Sequence, residues 1–211
     1  MSRFQPKPEQ IKWMKAVLFA LCLTPLLVLV WRAFNARLGA NPIEFVERST
    51  GWWTLALLMI TLSVTPLRRW LDAPWLLRLR RMLGLFAFFY ACMHFGTWLI
   101  IDQFFDWHAI VKDIAKRPYV TVGFTAFVLL IPLAATSTNA MVRRLGAARW
   151  QALHRFVYLI AALGVTHFWW LVKKDIREPL AFAAVLAVLL GARAVYLLRK
   201  RSMPAARSQA A

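Results

Sequence analysis

Acidic side chains are scarce in this chain: nine Asp and Glu stand among 211 residues, against 27 Lys and Arg, for a formal net charge of +18. None of the nine falls inside a long apolar run, and proton-coupled transport usually leans on such carboxylates, so that class loses weight. Cysteine is down to two, Cys22 and Cys92, both within apolar stretches. Neither a disulfide framework nor a thiolate metal site can be built from them. The chain shows no Ser-His-Asp set, no Gly-rich phosphate loop, no internal repeat and no low-complexity tract. What it has in excess is apolar residues, 61% of the total, with a mean hydropathy of +0.55. Soluble domains run to about 45–50% apolar and disordered chains fall lower, so both classes are disfavoured. A pI near 11.4 raises nucleic acid as a partner. A membrane protein with cationic cytoplasmic loops is greasy and basic at once, and is the better reading.

A bilayer core of about 30 Å takes about 20 apolar residues of helix, with a range of roughly 17–25. Six stretches qualify, at 16–34, 51–67, 82–101, 119–138, 151–172 and 180–198. They lack the alternation of barrel strands. The fold expected is therefore an all-α membrane protein, a bundle of six transmembrane helices. Pro25 and Pro132 interrupt two stretches and are read as kinks, because rearrangement inside a membrane helix can satisfy the freed carbonyl. Lys12 and Lys15 precede the first stretch, which lacks a small-residue cleavage site and reads as a retained signal anchor. Residues 11–201 are expected to form one transmembrane domain, flanked by disordered tails at 1–10 and 202–211. The connecting loops are too short for a soluble catalytic domain.

Orientation follows from the basic residues of alternate loops. The side holding both termini carries 16 Lys and Arg and the other side 9, while seven of the nine acids lie on that second side. Both termini are therefore expected in the cytoplasm. The charge then serves topology and contact with anionic lipid, and no nucleic-acid partner is expected. Tryptophans such as Trp31, Trp70, Trp107 and Trp170 fall at span ends, as an aromatic belt requires.

Within the spans the ionisable residues are His94, His154, Arg155, His167 and Arg193. Such groups are costly in a bilayer and mark function by default. At 1.5 Å per residue, His94 and His167 lie about 18 and 24 Å from the cytoplasmic ends of their spans, and His154 only about 5 Å in. Two imidazoles at neighbouring depths on different helices are what a low-spin b-type haem needs as axial ligands. Gly96, Thr97, Ala161, Ala162 and Gly164 supply small surfaces for a flat macrocycle. On one straight helix His154 and His167 would point about 140° apart. The bland reading of a membrane histidine is a hydrogen bond to a neighbouring helix, worth about 1 kcal/mol; it suits one isolated histidine better than a depth-matched pair. His108 reads as a solvated loop residue, and Phe86, Phe88, Phe89 and Tyr90 as packing. Arg155 either pairs a haem propionate or snorkels to lipid phosphate. Arg80, Arg81, Arg149 and Arg155 together could hold anionic groups near His154.

The fifth span and its approach carry Thr136-Ser137-Thr138, Arg144-Leu145-Gly146, Trp150, Leu153-His154 and Val157-Tyr158-Leu159. With Leu38-Gly39-Ala40-Asn41-Pro42, Arg80-Arg81-Met82-Leu83-Gly84-Leu85 and Arg117-Pro118-Tyr119, this order resembles the haem-binding membrane subunits of the periplasmic methionine-sulfoxide reductase system (the MsrQ or YedZ family). That family sits in the ferric-reductase-like transmembrane superfamily. The resemblance implies haem b, a flavin mononucleotide, and a bacterial inner-membrane location. It implies electrons drawn from the quinone pool and passed to a periplasmic molybdopterin enzyme that reduces methionine sulfoxide in oxidised proteins. Sulfoxide reduction itself would occur on that partner. The family's haem-associated histidines match His94, His154 and His167. Full ferric reductases carry two histidines on each of two helices. Here the place thirteen residues before His94 holds Arg81, so a haem between His94 and His167 is expected, and a second at His154 lacks a partner. The rivals are a stand-alone ferric or quinone reductase, and a non-haem transporter or assembly factor with structural histidines.

Overall fold

The structure is a computed structural model that describes residues 5–172 and 174–202. Nine α-helices follow one another among the described residues, with no strand between them: α1 (Pro8–Phe34), α2 (Pro42–Trp70), α3 (Leu77–Gly96), α4 (Trp107–Lys116), α5 (Pro118–Ala135), α6 (Asn139–Leu145), α7 (Ala147–His154), α8 (Phe156–Leu171) and α9 (Arg177–Ser202). A 3-10 turn, Pro74–Leu76, leads into α3, and a π-helical turn, Thr97–Asp102, extends it. The all-helical membrane architecture agrees with the sequence reading. Five segments are long and apolar enough to cross a bilayer: Pro8–Phe34, Pro42–Trp70, Pro74–Asp102, Pro118–Ala135 and Arg177–Arg199.

The expected span at 151–172 differs. It is divided at Arg155, leaving α8 with 16 residues, most of them apolar. Arg155 keeps right-handed helical dihedrals (φ −70°, ψ −23°). The bonding tightens there, with the Arg155 N–H on Ala152 O and the Tyr158 N–H on Arg155 O, both i→i−3. His154 and His167 therefore do not share one straight helix.

Helix starts follow local chemistry. Asn41 caps α2 by accepting from the Glu44 N–H at 3.2 Å, and Pro42 takes the first helical position, where a missing N–H costs nothing. This start lies nine residues before the expected one and brings Glu44 and Glu47 into the helix, so this membrane-crossing segment does contain carboxylates. Thr138 caps α6 in the same way through Met141 N–H. Gly146, at φ 77°, ends α6 in a conformation that side chains resist. At the N-terminus, Pro8 opens α1 and the Lys7 N–H donates to Gln10 Oε1 at 2.8 Å. The helix thus begins inside the stretch expected as a tail at 1–10. The tail expected at 202–211 lies, beyond Ser202, outside the described residues.

The core sits where α2, α3, α5 and α8 meet, with α9 against α2 and α8, and α1 on the outside of α3. Phe95 and Phe88 of α3 stack on Phe127 of α5 with ring centres 4.5 and 6.2 Å apart, which sets the rotation of α3. Leu21, Leu27, Val188 and Leu198 are among many large apolar side chains left exposed on the outer helices, as a lipid-facing surface requires.

Pro25 lies inside an unbroken α1, so it does not end the helix. A proline ring opens its turn and strands a carbonyl. Tyr90 fills the gap: its hydroxyl donates to Cys22 O at 2.8 Å and accepts from Leu26 N–H at 3.1 Å. It bridges the Leu26 N–H and the carbonyl four residues before it, in the turn around Pro25, and is only 1% exposed. Read from sequence as packing, Tyr90 instead ties α3 to α1 through two hydrogen bonds. Tyr90→Phe should lower the stability of the solubilised protein by about 1–3 kcal/mol, because two buried backbone groups lose their partner. The readout is the thermal unfolding midpoint; an unchanged midpoint would mean that the turn recloses on itself.

Candidate functional site

His94 lies two residues before the end of α3, and His167 in the last third of α8. Their ring centres are 6.1 Å apart with planes at 73°. The depth match read from the two spans is thus a true juxtaposition. Each ring is held by the same device. His94 Nδ1 donates to the carbonyl of Glu47 on α2 at 3.0 Å, and His167 Nδ1 donates to the carbonyl of Tyr119 on α5 at 2.7 Å. A carbonyl only accepts, so Nδ1 carries the proton in both rings and Nε2 keeps its lone pair. Backbone ties of this kind orient metal-bound imidazoles and raise their basicity.

Both rings reach those carbonyls because a glycine stands four residues further along each helix. A Cβ on Gly51 would lie 3.2 Å from His94 Cε1 and Nδ1, and one on Gly123 would lie 2.6 Å from His167 Nδ1. Real Cβ atoms avoid the second distance altogether. Helices α2 and α5 therefore back the site, each with a bared carbonyl, while α3 and α8 carry the imidazoles. Sequence reasoning missed Glu47, Gly51, Tyr119 and Gly123. The one signal present was the matched four-residue spacing, which looks like ordinary small-residue helix packing until the histidines are placed.

The pair suits a haem iron on three counts. Both rings present a basic Nε2. Metal–imidazole bonds of about 2 Å set two ring centres on one iron about 6 Å apart, and the observed separation is 6.1 Å. Among the described residues no group of three or more His, Cys, Asp or Glu is placed to hold a bare ion. A metal at this pair needs its other ligands from a macrocycle. The π-helical turn directly after α3 is a feature often found at functional sites.

The structure does not bring His154 into this pair. Thirteen residues back along α7 and α8, about 20 Å at helical rise, its Nε2 lies 3.0 Å from Thr136 Oγ1 and its ring stacks on Trp150 at 3.9 Å. Thr136 Oγ1 has one proton, which goes to Pro132 O at 2.6 Å. It must therefore accept from His154 Nε2–H. Trp150 Nε1 closes the cluster by donating to Thr136 O at 2.9 Å. Thr136, Trp150 and His154, separate elements of the sequence motif, are thus one hydrogen-bonded unit joining the end of α5 to α7. Arg80 and Arg81 act electrostatically on His154. Arg81 and Arg155 are exposed at this end of the bundle, about 20 and 18 Å of helix from His94 and His167 respectively. His108 is exposed in the first turn of α4.

Comparison with known proteins identifies the family. The family described as "Ferric reductase like transmembrane component" matches residues 50–165, taking in His94 and His154 and stopping two residues short of His167. Several similar proteins carry the name "Protein-methionine-sulfoxide reductase heme-binding subunit MsrQ". That of Herminiimonas arsenicoxydans is 55% identical over 204 residues, covering 96% of this chain and 94% of its own. That of Ralstonia nicotianae is 56% identical over 194 residues, covering 91% and 89%. That of Rhodospirillum rubrum is 51% identical over 187 residues, covering 89% and 90%. The chain is a multi-pass membrane protein of the MsrQ family, within the ferric-reductase-like transmembrane components.

Proposed function

We propose that this chain is a haem b-holding electron-transfer subunit of the bacterial inner membrane. In this reading it passes electrons from the respiratory quinone pool to a periplasmic molybdopterin methionine-sulfoxide reductase that repairs oxidised periplasmic proteins. The observation that carries it is the His94–His167 pair, two imidazoles 6.1 Å apart, each with Nδ1 tied to a backbone carbonyl. The names of the similar proteins support the haem and the sulfoxide-reductase system. The haem iron, when bound, supplies one-electron chemistry, and the protein supplies ligation, orientation and tuning. His94 and His167 hold the iron, Glu47 and Tyr119 carbonyls orient the rings, and Gly51 and Gly123 give the rings room. The flavin mononucleotide rests on family resemblance. The test is the absorption spectrum of the purified protein: a Soret band that shifts on reduction, at b-haem wavelengths, supports the reading. A protein colourless after expression with sufficient haem supply would return the histidines to structural roles.

Six spans with both termini in the cytoplasm complete the reading, α8 with α7 supplying the sixth. The basic count of 16 against 9 supports this orientation. A reporter active only in the cytoplasm should work after Arg201, and one active only in the periplasm should work near Asp106; the reverse pattern overturns it.

His154, with Arg81 and Arg155, forms the inner end of the reading. Its Nε2 is engaged by Thr136, so one haem, at the outer pair, is the stoichiometry proposed. His154→Ala should leave that haem assembled and slow its reduction by the donor. Pyridine haemochrome and the rate of haem reduction measure the two effects. Loss of one haem from a two-haem wild type would instead make His154 a ligand of a second.

A further inference from the structure

Helix α2 ends beside the C-terminal half of α9, and between them lies a cavity of about 670 Å³. Arg68, Arg69, Trp70, Asp72, Tyr196 and Arg199 line it. It is separate from the histidine pair: Arg69 is eighteen residues beyond Gly51 on α2, about 27 Å of helix. Three arginines and one aspartate thus line the same space, among proline, alanine, valine and aromatic side chains. Arg68 Nε is buried with no hydrogen-bond partner among the described residues. The Arg69 guanidinium lies 3.5 Å over the Tyr196 ring, a cation–π contact that fixes its plane and leaves its N–H edges free for an acceptor. Neither the Arg68 nor the Arg69 side chain forms a hydrogen bond or ion pair within the described residues. In an adjoining recess, Thr65 Oγ1 is buried and also lacks a partner.

A helix C-terminus attracts basic side chains through its dipole, but that accounts for charge at the end of α2, not for a cavity with an orphaned buried donor. What such a cavity lacks is an acceptor with several oxygens. Guanidinium forks match carboxylate and phosphate bidentately, and a phosphate has oxygens enough to serve two guanidinium groups at once. Trp70 and Tyr196 are the amphipathic rings found at the headgroup level of a bilayer. Basic pockets between membrane helices on the cytoplasmic side take anionic headgroups.

We propose that this cavity is a phosphate site, filled by the phosphate of an anionic phospholipid headgroup or of a soluble phosphate monoester, with Arg68 and Arg69 as its donors. The site does not depend on the haem reading. The experiment is native mass spectrometry of the full-length solubilised protein, stripped of lipid and titrated with phosphatidylglycerol or phosphatidylcholine. A parallel thermal-shift series uses inorganic phosphate. If a lipid fills the site, phosphatidylglycerol adducts exceed phosphatidylcholine adducts by about tenfold, and phosphate neither stabilises the protein nor displaces the lipid. If a soluble monoester fills it, phosphate raises the unfolding midpoint and the two lipids bind alike. Arg68→Gln with Arg69→Gln removes the lipid preference in the first case and the phosphate stabilisation in the second, and Arg143→Gln with Arg144→Gln, basic residues away from the cavity, leaves either effect in place. Ala192→Phe, which fills the space without touching a charge, removes it as well and guards against a charge variant that merely misfolds. The proposal is overturned if binding survives both the arginine and the Ala192 variants, if the Arg143 and Arg144 control lowers it equally, or if neither anion is preferred.

Discussion

His94→Ala and His167→Ala should each remove most of a low-spin b-type haem signal from the purified protein. Loss of one axial imidazole leaves iron five-coordinate, and the remaining ring gives the macrocycle only one anchor. The two variants should be nearly equivalent, because the pair holds its rings alike: Nδ1 on a helix carbonyl, at 3.0 Å for His94 and 2.7 Å for His167. His108→Ala is the control, since its exposed side chain in α4 lies away from the pair. Haem content by pyridine haemochrome and the spin-state bands of the oxidised spectrum are the readouts. Full low-spin haem in His94→Ala would make the pairing wrong, whatever the fate of the other variant.

A second large effect is expected from a change that adds a single methyl group. In Gly123→Ala the new Cβ would stand 2.6 Å from His167 Nδ1 and 2.9 Å from Cε1. The ring must move, and its bond to Tyr119 O at 2.7 Å breaks with it. Losing an outer-shell partner of a metal-bound imidazole costs roughly 10–100-fold in affinity, so haem should fall well below wild type in Gly123→Ala. Gly51→Ala asks less, because its Cβ would stand 3.2 Å from the His94 ring and a shift of a few tenths of an ångström relieves it. The expected order of haem retention is Gly51→Ala above Gly123→Ala. Gly191→Ala on α9, whose Cβ would meet nothing within 4 Å, should match wild type. Alanine suits a helix better than glycine by about 1 kcal/mol, so a loss of haem without a loss of unfolding midpoint would mark a site effect. Equal, full haem in all three variants would show that the rings settle elsewhere when iron is bound.

Much of this molecule was readable along the chain. Apolar length and the absence of alternation pointed to membrane helices. The motif residues also had local jobs that sequence chemistry anticipates: Asn41 and Pro42 start α2, Thr138 starts α6, and Gly146 ends it. Positions of His94 and His167 along their spans predicted a meeting that the structure places at 6.1 Å. Other parts were not readable. His154 looked like one more intramembrane histidine, yet Thr136 and Trp150 occupy it. Tyr90 looked like one aromatic among several, yet its hydroxyl repairs the turn at Pro25.

The division has a physical cause. Hydropathy, capping and turn chemistry are properties of a few neighbouring residues, so the sequence by itself determined the all-helical membrane class, where most helices run along the chain, and how far along its helix each histidine stands. Depth along a helix says nothing about which way a side chain faces. That depends on the rotation of each helix against its neighbours, which contacts such as Phe95 on Phe127 set across long sequence separations. Only the tertiary structure decided that Glu47 and Tyr119 offer their carbonyls to the histidines and that Gly51 and Gly123 make way. It alone decided that the chain changes its bonding at Arg155, parting His154 from His167: no residue there breaks a helix on its own, and the turn accompanies the hydrogen bonds that tie His154 and Trp150 to Thr136.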